Sequence, residues 1–505
     1  MRAVVSAAEM RAAEEEASTR GLTSAALMQL AALGAADFLL GHPRGKESRY
    51  LVLAGPGNNG GDALVVAGLL AANGAPVQIV TYRRPQPSPV DPPGLPRFDC
   101  GDDPDLERLR SAILACQVIV DGILGTGRAR PIEPDLAAIL AEVRAASDRR
   151  HIVALDLPTG VDATSGAADP NALFAHQTIT FGYEKRGLRL SPARELAGKV
   201  RLVEIGLPAP PVIPVATHMP EAADVAGWLP TRSPTTHKYT AGAVLALAGS
   251  PVYTGAPVLC STAALRSGAG YVTLAVREAT RATLASMVVS PTMLVVPDAW
   301  EVAMACLREN AGRYHALLIG PGLGREPDTI SLVRALLSTP PPGPRAAVVD
   351  ADALFALSET PNWWERAPLP LVLTPHTGEM ARLTGLSGEE IEGNRLEVAT
   401  TWARRWGQIL VLKGAPTIVA SPEGELSLNP TGNPLLATAG TGDVLSGIIA
   451  AFLAGGAAPF SAARAAVYIH GLAADLGIET YGDRGLLAGD LLPLIPQAIK
   501  VVLAS

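Results

Sequence analysis

The chain has 505 residues, 48% of them hydrophobic but only 4% aromatic, with 50 glycines, 43 prolines and a formal net charge of −7. That length suits about two to four domains, and small apolar residues in such number suit closely packed α/β layers. No long basic run is present, which excludes a nucleic-acid partner. The mean hydropathy of +0.24 comes with no uninterrupted apolar run of the roughly 18 residues that would mark a membrane span. The start, MRAVVSAAEMRAAEEEA, turns acidic at once, unlike a secretory signal. Cys100, Cys116, Cys260 and Cys306 are scattered, as small core residues in a reducing, cytoplasmic compartment would be.

Residues 6–40 read as two helices broken near Gly21, with Thr23 or Ser24 as a cap for the second. The apolar strand YLVLAG (50–55) then runs into Pro56-Gly57-Asn58-Asn59-Gly60-Gly61-Asp62 and the helical pattern ALVVAGLLAANG. A strand, a glycine turn and a helix leave backbone N–H groups aimed at a ligand. The turn lacks the Gly-x-Gly-x-x-Gly spacing. Its asparagines and aspartate supply oxygens suited to a hard cation or to ribose hydroxyls, or else a plain turn with Asp62 as helix cap. PVQIVTY (76–82) is a strand, 83–96 a proline-dense loop, and VIVD brings Asp121 to a strand end before Gly122, Gly125 and Gly127. IVALDLPTGVD repeats the pattern with Asp156 and Thr159, and QTITF (177–181) and KVRLVEIG (199–206) extend the sheet. Acids and amides at matching strand ends place a site on one rim.

The series GPGNNGGD, DGILGTG and LDLPTGVD resembles the NAD(P)H-hydrate epimerase domain over about residues 5–215. The resemblance implies a Rossmann-like three-layer α/β domain over 1–215. In it Asn59, Asp121 and Thr159 would coordinate a potassium ion. Asn58, Asn59, Gly60, Gly61 and Asp62, with Gly125, Thr126, Gly127, Arg128, Ala129, Arg130 and Pro131, would hold the dinucleotide. Asp156 would contact the hydrated nicotinamide ring and transfer the proton during inversion at C6. Ala63 stands where the family usually has glycine, Thr159 for the commoner serine, and Gln29 where glutamate is usual.

GLPAPPVIP (206–214) is proline-rich and aperiodic, which places a domain junction there. Beyond it, strands alternate with helices, as in a mostly parallel layered sheet. AGAVLALAGS leads to Tyr253-Thr254-Gly255-Ala256, and HALLIGPGLG ends in a glycine turn. AAVVDADAL sets Asp350 and Asp352 at a strand end, LPLVLTPHTGEM passes through His376 and Glu379 into a helix, and QILVLKGAPTIVAS is a strand pair around Lys413-Gly414. For His376 and Glu379 a helix-capping or first-turn role competes with a ligand role, and Trp363-Trp364 reads as a packed loop. ATAGTGDVLSG (437–447) precedes an apolar helix whose free N–H groups can hold phosphate oxygens. A carboxylate there repels an anion, so Asp443 is either a base beside the ligand or a helix cap.

HKYTAG, GAPVLCSTAALRSGAG, IGPGLG, VVDADAL, LTPHTGEM, LKGAPT and TAGTGDVLSG resemble the ribokinase-like ADP- or ATP-dependent NAD(P)H-hydrate dehydratase family over about 225–500. This implies a ribokinase-like three-layer α/β domain over 216–505. Lys413, Gly414, Ala415, Pro416, Thr417 and Gly442 would bind ADP with a magnesium ion, and Ala256, Gly322, His376 and Asp443 would contact the hydrated dinucleotide. Tyr239-Thr240-Ala241 replaces a Gly-Asp-Phe-like run, Thr377 a proline, and Ala439 and Thr441 a glycine and a serine. Together the resemblances imply a bifunctional cytoplasmic enzyme acting on NADHX and NADPHX. It would epimerise them at C6 and dehydrate the S form with ADP, as a homo-oligomer without nucleic-acid or membrane partners. The residues alone leave open a small-molecule kinase with a regulatory first half, and a non-catalytic dinucleotide-binding protein.

Overall fold

A computed structural model describes residues 1–41, 45–84, 90–126, 131–209 and 211–505. Ala3–Thr217 form one compact unit, and His218–Ser505 with Met1–Arg2 the other.

The first unit is built on a seven-stranded parallel sheet. Its order is Arg97–Asp99, Val77–Thr81, Tyr50–Ala54, Val118–Gly122, His151–Leu155, Gln177–Phe181, Lys199–Val203. The strand Tyr50–Ala54 is buried throughout because both its faces are covered. Tyr50, Val52 and Ala54 join the core under the helices Ser24–Gly41 and Asn58–Ala72, while Leu51 and Leu53 face Glu107–Ala115 and Pro134–Ala145. The two-residue period of a strand thus sorts one apolar run into two layers. Thr23 makes the expected cap, its hydroxyl oxygen accepting from the Ala26 N–H at 3.3 Å. Ser24–Gly41, with mean hydropathy 1.4, is long and apolar enough to cross a membrane, which a search for an unbroken apolar run does not flag. It lays Leu27, Ala31, Ala35 and Leu39 into the core. A short strand the sequence pattern did not suggest, Arg2–Val5, pairs in parallel with Glu184–Lys185.

The second unit orders its strands Thr292–Val296, Tyr271–Arg277, Ala243–Leu247, Ala316–Ile319, Ala346–Val349, Leu371–Leu373, Ile409–Leu412 in parallel. The antiparallel strands Ile418–Ala420 and Leu426–Leu428 follow at the edge. The helix Thr441–Ala454 is buried on nearly every side, as a helix apolar all round must be. It crosses Gly255–Arg266 closely at Gly447, where a Cβ would collide with the carbonyl of Cys260. Trp363 is buried against the rings of Trp364 and Trp406, so the Trp pair packs its loop as expected.

Candidate active sites

In the first unit the chain leaves Tyr50–Ala54 toward Val77–Thr81 on one side, while Val118–Gly122 lies on the other. The carboxyl ends of these strands open the crevice where such folds bind ligands. The helix starts earlier than the sequence pattern suggests: Gly57 is the N-cap, Asn58 to Gly61 form its first turn, and Asp62 follows. Gly60 makes this possible, since a Cβ there would strike the carbonyl of Gly55. Asp62 therefore lies inside the helix and is not its cap. The methyl of Ala63 packs against Gly122, on the sheet rather than in the crevice.

Asn59, Asp121 and Thr159 are brought together, with Leu124 as the tie. The Asn59 side-chain amide donates to the carbonyls of Leu124 and Leu155, each at 3.0 Å, and the Leu124 N–H donates to Thr159 Oγ1 at 3.1 Å. Asp121 is 0% exposed and accepts from the Thr159 hydroxyl at 2.7 Å and backbone N–H at 2.8 Å. Burial pushes its carboxyl up, partly offset by bonds from Thr159 and Ile123, and no lysine or arginine among the described residues pairs with it. Asn59 Oδ1 is buried with no hydrogen-bond partner among the described residues. A buried carboxylate without a cation and an orphaned amide oxygen beside it are what a bound cation satisfies. Gly125 lies against the Asn59 side chain, at 3.0 Å from Asn59 Cβ for an added Cβ. Thr126 and Pro131 flank the same loop, whereas Gly127, Arg128, Ala129 and Arg130 lie outside the described residues.

Asp156 follows His151–Leu155 with φ +63°, a left-handed conformation that costs a non-glycine residue about 1–3 kcal/mol and marks functional sites. Its Oδ1 bonds the Lys185 ammonium and accepts from the Thr180 hydroxyl at 3.3 Å. Lys185, 1% exposed, also donates to the carbonyl of Phe181 at 2.7 Å. Sequence reasoning missed Lys185. Its only signal was a cation directly after the apolar strand QTITF and its turn.

In the second unit Ala243–Leu247 lies between Tyr271–Arg277 and Ala316–Ile319, so the crevice again opens at carboxyl ends of parallel strands. Gly322, at φ +60°, sits beside Ala256; a Cβ on it would approach the Ala256 Cβ to 2.9 Å. Gly440, φ +92°, is the N-cap of the helix Thr441–Ala454, with Asp443 in the first turn making no cap bond. The capping alternative for Asp443 is thus not what forms. Burial pushes its carboxyl up to about 7, with Asp350 and Glu379 adding and Lys413 opposing. The Lys413 ammonium bonds Asp350 at 3.1 Å, lies 3.7 Å from Glu379, and stands 3.3 Å from where a Gly442 Cβ would be. Lys413 is therefore a held charge, not a surface side chain. His376 does cap its helix: Nδ1 accepts from the Gly378 N–H at 3.0 Å, Glu379 returns the bond to the His376 N–H at 2.9 Å, and Nε2 is 3.6 Å from Glu379. Thr377 donates to Glu392, and Thr441 to the carbonyls of Leu436 and Thr438, so both departures are absorbed locally.

The loop Gly414-Ala415-Pro416-Thr417 is closed by Thr417 Oγ1 donating to the Gly414 carbonyl at 3.1 Å. Beneath it Arg395, buried, donates one nitrogen to the carbonyls of Leu412, Lys413 and Pro416 at 3.1–3.2 Å. Sequence reasoning did not find Arg395, which lies on the helix Arg395–Trp406 with nothing in its spacing to single it out. Among the described residues no group of three or more His, Cys, Asp or Glu side chains is placed to hold a metal ion.

Two α/β layered halves, each with a carboxylate at the strand-end crevice, define an enzyme with two active sites. The family models agree in register: YjeF-related protein N-terminus matches residues 24–187, and NAD(P)H-hydrate dehydratase matches 244–497. The chain is 38% identical over 522 residues to the bifunctional NAD(P)H-hydrate repair enzyme Nnr of Moorella thermoacetica, covering 98% of this chain and 96% of that one. It is 37% identical to the enzyme of that name from Salinibacter ruber, covering 98% and 95%. Among solved structures, the ADP/ATP-dependent NAD(P)H-hydrate dehydratase of Bacillus subtilis, co-crystallised with ATP and Mg2+, is 34% identical, covering 56% of this chain and 97% of that one, with a TM-score of 0.49. The chain belongs to the bifunctional NAD(P)H-hydrate repair enzyme family.

Proposed function

We propose that this enzyme restores hydrated NADH and NADPH. The first unit interconverts the R and S epimers of NAD(P)HX at C6, and the second dehydrates the S epimer, converting ADP to AMP and phosphate. The observation that carries the reading is the pair of strand-end crevices, each holding a carboxylate that makes no helix cap: Asp156 and Asp443. Membership of the family supports both halves.

In the second unit Asp443 takes the proton of the C6 hydroxyl as its oxygen attacks the terminal phosphoryl of ADP. Lys413, Gly442 and the loop 414–417 hold the nucleotide; Ala256, Gly322 and His376 line the hydrated ring's side. The ring nitrogen lone pair then expels phosphate, and loss of a C5 proton restores the double bond. A magnesium ion carried on the phosphates would neutralise charge there, and the described residues supply no cage of their own. In the first unit Asn58 to Asp62, Gly125 to Pro131 and Asp156 would face the dinucleotide. Asn59, Asp121 and Thr159 would hold a potassium ion, which fixes the three loops relative to one another. Among the described residues Asn59 Oδ1 has no hydrogen-bond partner and Asp121 no cationic one, which supports that site. The lack of a long basic run supports a protein without a nucleic-acid partner, and a cytoplasmic homo-oligomer without membrane partners belongs to the same reading.

The test is to give purified protein both hydrate epimers with ADP. Both epimers should disappear, with AMP, phosphate and reduced dinucleotide formed in equal amounts. If no reduced dinucleotide forms, the reading is wrong.

A further inference from the structure

Around Lys185 the first crevice gathers more acid than one ammonium can serve. Lys185 spends bonds on Asp156 Oδ1 and on the Phe181 carbonyl. Every donor to the Asp156 carboxylate, including the Thr180 hydroxyl and the Phe181 N–H, goes to Oδ1, so Oδ2 stays open among the described residues. Asp62, on the first turns of Asn58–Ala72, has neither a hydrogen bond nor an ion pair among the described residues. Burial pushes its carboxyl up to about 8; Asp156 and Glu14 add, while Lys185 and Arg84 oppose. Arg84 commits its guanidinium to the carbonyls of Gly55 and Gly57, at 2.7 and 3.0 Å. Burial also raises Glu14, from the helix Ala7–Thr19, with the Lys185 charge opposing.

We propose that Lys185 is a positioning residue that divides two carboxyl groups into a proton acceptor and a proton donor, Asp156 bonded to it and Asp62 not. The proposal rests on the epimerase reading of this crevice. Two carboxyl groups held in unlike surroundings, one bonded to an ammonium and one not, are how one site runs acid and base chemistry together.

The substrate is a carbinolamine, so inversion needs no C–H bond to break. Asp156 Oδ2 takes the proton of the C6 hydroxyl, whose bonding pair becomes the second C–O bond of an aldehyde. The C6–N1 bond breaks, and its pair takes a proton at N1 from Asp62. Rotation about C5–C6 turns the other carbonyl face toward N1. Closure reverses each transfer: N1 bonds C6 and returns its proton to Asp62, and the oxygen regains one from Asp156. Atoms and charges balance, and both carboxyl groups finish as they began.

The experiment uses the full chain, with wild-type-like circular dichroism and an unchanged cooperative unfolding transition of the first unit as a check that each variant is folded. Carbon-13 NMR of aspartate-labelled protein, assigned with Asp62→Asn, should show Asp62 protonated at pH 7 and titrating near pH 8. In Lys185→Met that midpoint should move further up, because a neighbouring positive charge is gone. Epimerase kcat should fall about 100-fold or more in both variants, with KM changed less than about threefold. The wild-type rate should decline above about pH 8, a limb absent from Asp62→Asn. An ionised Asp62 at pH 6.5, or a Lys185→Met enzyme that keeps its kcat, overturns the proposal while the wild type still epimerises. A wild type with no epimerase activity overturns the reading beneath it instead.

Discussion

Asp156 and Asp443 end similar crevices but are held in opposite ways. Asp156 sits on a left-handed backbone turn after a strand, with one oxygen bonded to a buried ammonium. Asp443 sits in the first turn of a buried helix with no such bond, because the nearby ammonium, Lys413, is given to Asp350. The first arrangement gives the carboxylate a charge partner from its own chain. The second leaves the carboxyl near the middle of its titration at neutral pH, with Asp350 and Glu379 adding to the pressure. A site that receives a nucleotide and its counter-ion brings its own charge, and a base poised in this way can respond to that arrival.

The hardest test of the comparison is Asp443→Asn. Dehydration should fall about 10²–10⁴-fold in kcat, while R and S forms still interconvert, as read by chromatography of the two epimers. Asp156→Asn should do the converse: epimerisation should fall about 100-fold or more, and the S form should still be consumed at the wild-type rate. R-form loss unchanged after subtracting spontaneous epimerisation would remove Asp156 from its role. Arg395→Met should raise KM for ADP about tenfold while leaving KM for the hydrate near its wild-type value. The carbonyls of Leu412, Lys413 and Pro416 lose a common charged donor, and each such bond contributes about 1.5–3 kcal/mol.

Smaller effects sharpen the contrast. Exchanging potassium for a much smaller or larger cation should slow the epimerase severalfold and leave the dehydratase rate alone. Equal epimerase rates across the series would count against Asn59, Asp121 and Thr159. The free enzyme's dehydratase kcat/KM should rise with pH up to about 7 and then level, because Asp443 acts only when deprotonated. In Asp350→Asn that midpoint should move to lower pH, since a neighbouring negative charge is gone and Lys413 is released toward Asp443.

Much of this arrangement was legible in the chain, because strands and turns announce themselves locally. YLVLA and VIVDG read as strands from composition, and the switch of sheet order then places Asn59, Asp121 and Gly125 on one rim. What misled was local propensity. Asn-Asn-Gly-Gly looks like a turn because glycine and asparagine disfavour helix, yet packing of Gly60 on Gly55 carries the helix through it. Lys185 left only a faint local signal, and Arg395 none. Each is defined by partners from other segments: Asp156 with Phe181 in one case, and the carbonyls of 412–416 in the other. His376 was legible only as a choice between capping and binding, and the capping bond it makes occupies Nδ1 and leaves Nε2 toward Glu379.

The short parallel pairing at the very start of the chain reaches further than its size suggests. Val4 is in register with Glu184 and Val5 with Lys185. Trimming the first five residues, or fusing a bulky tag to them, would strip the hydrogen-bonding neighbour from the segment that carries the buried ammonium. An expression strategy that treats this end as dispensable would then read out as a slow epimerase, a defect easily mistaken for a property of the natural enzyme.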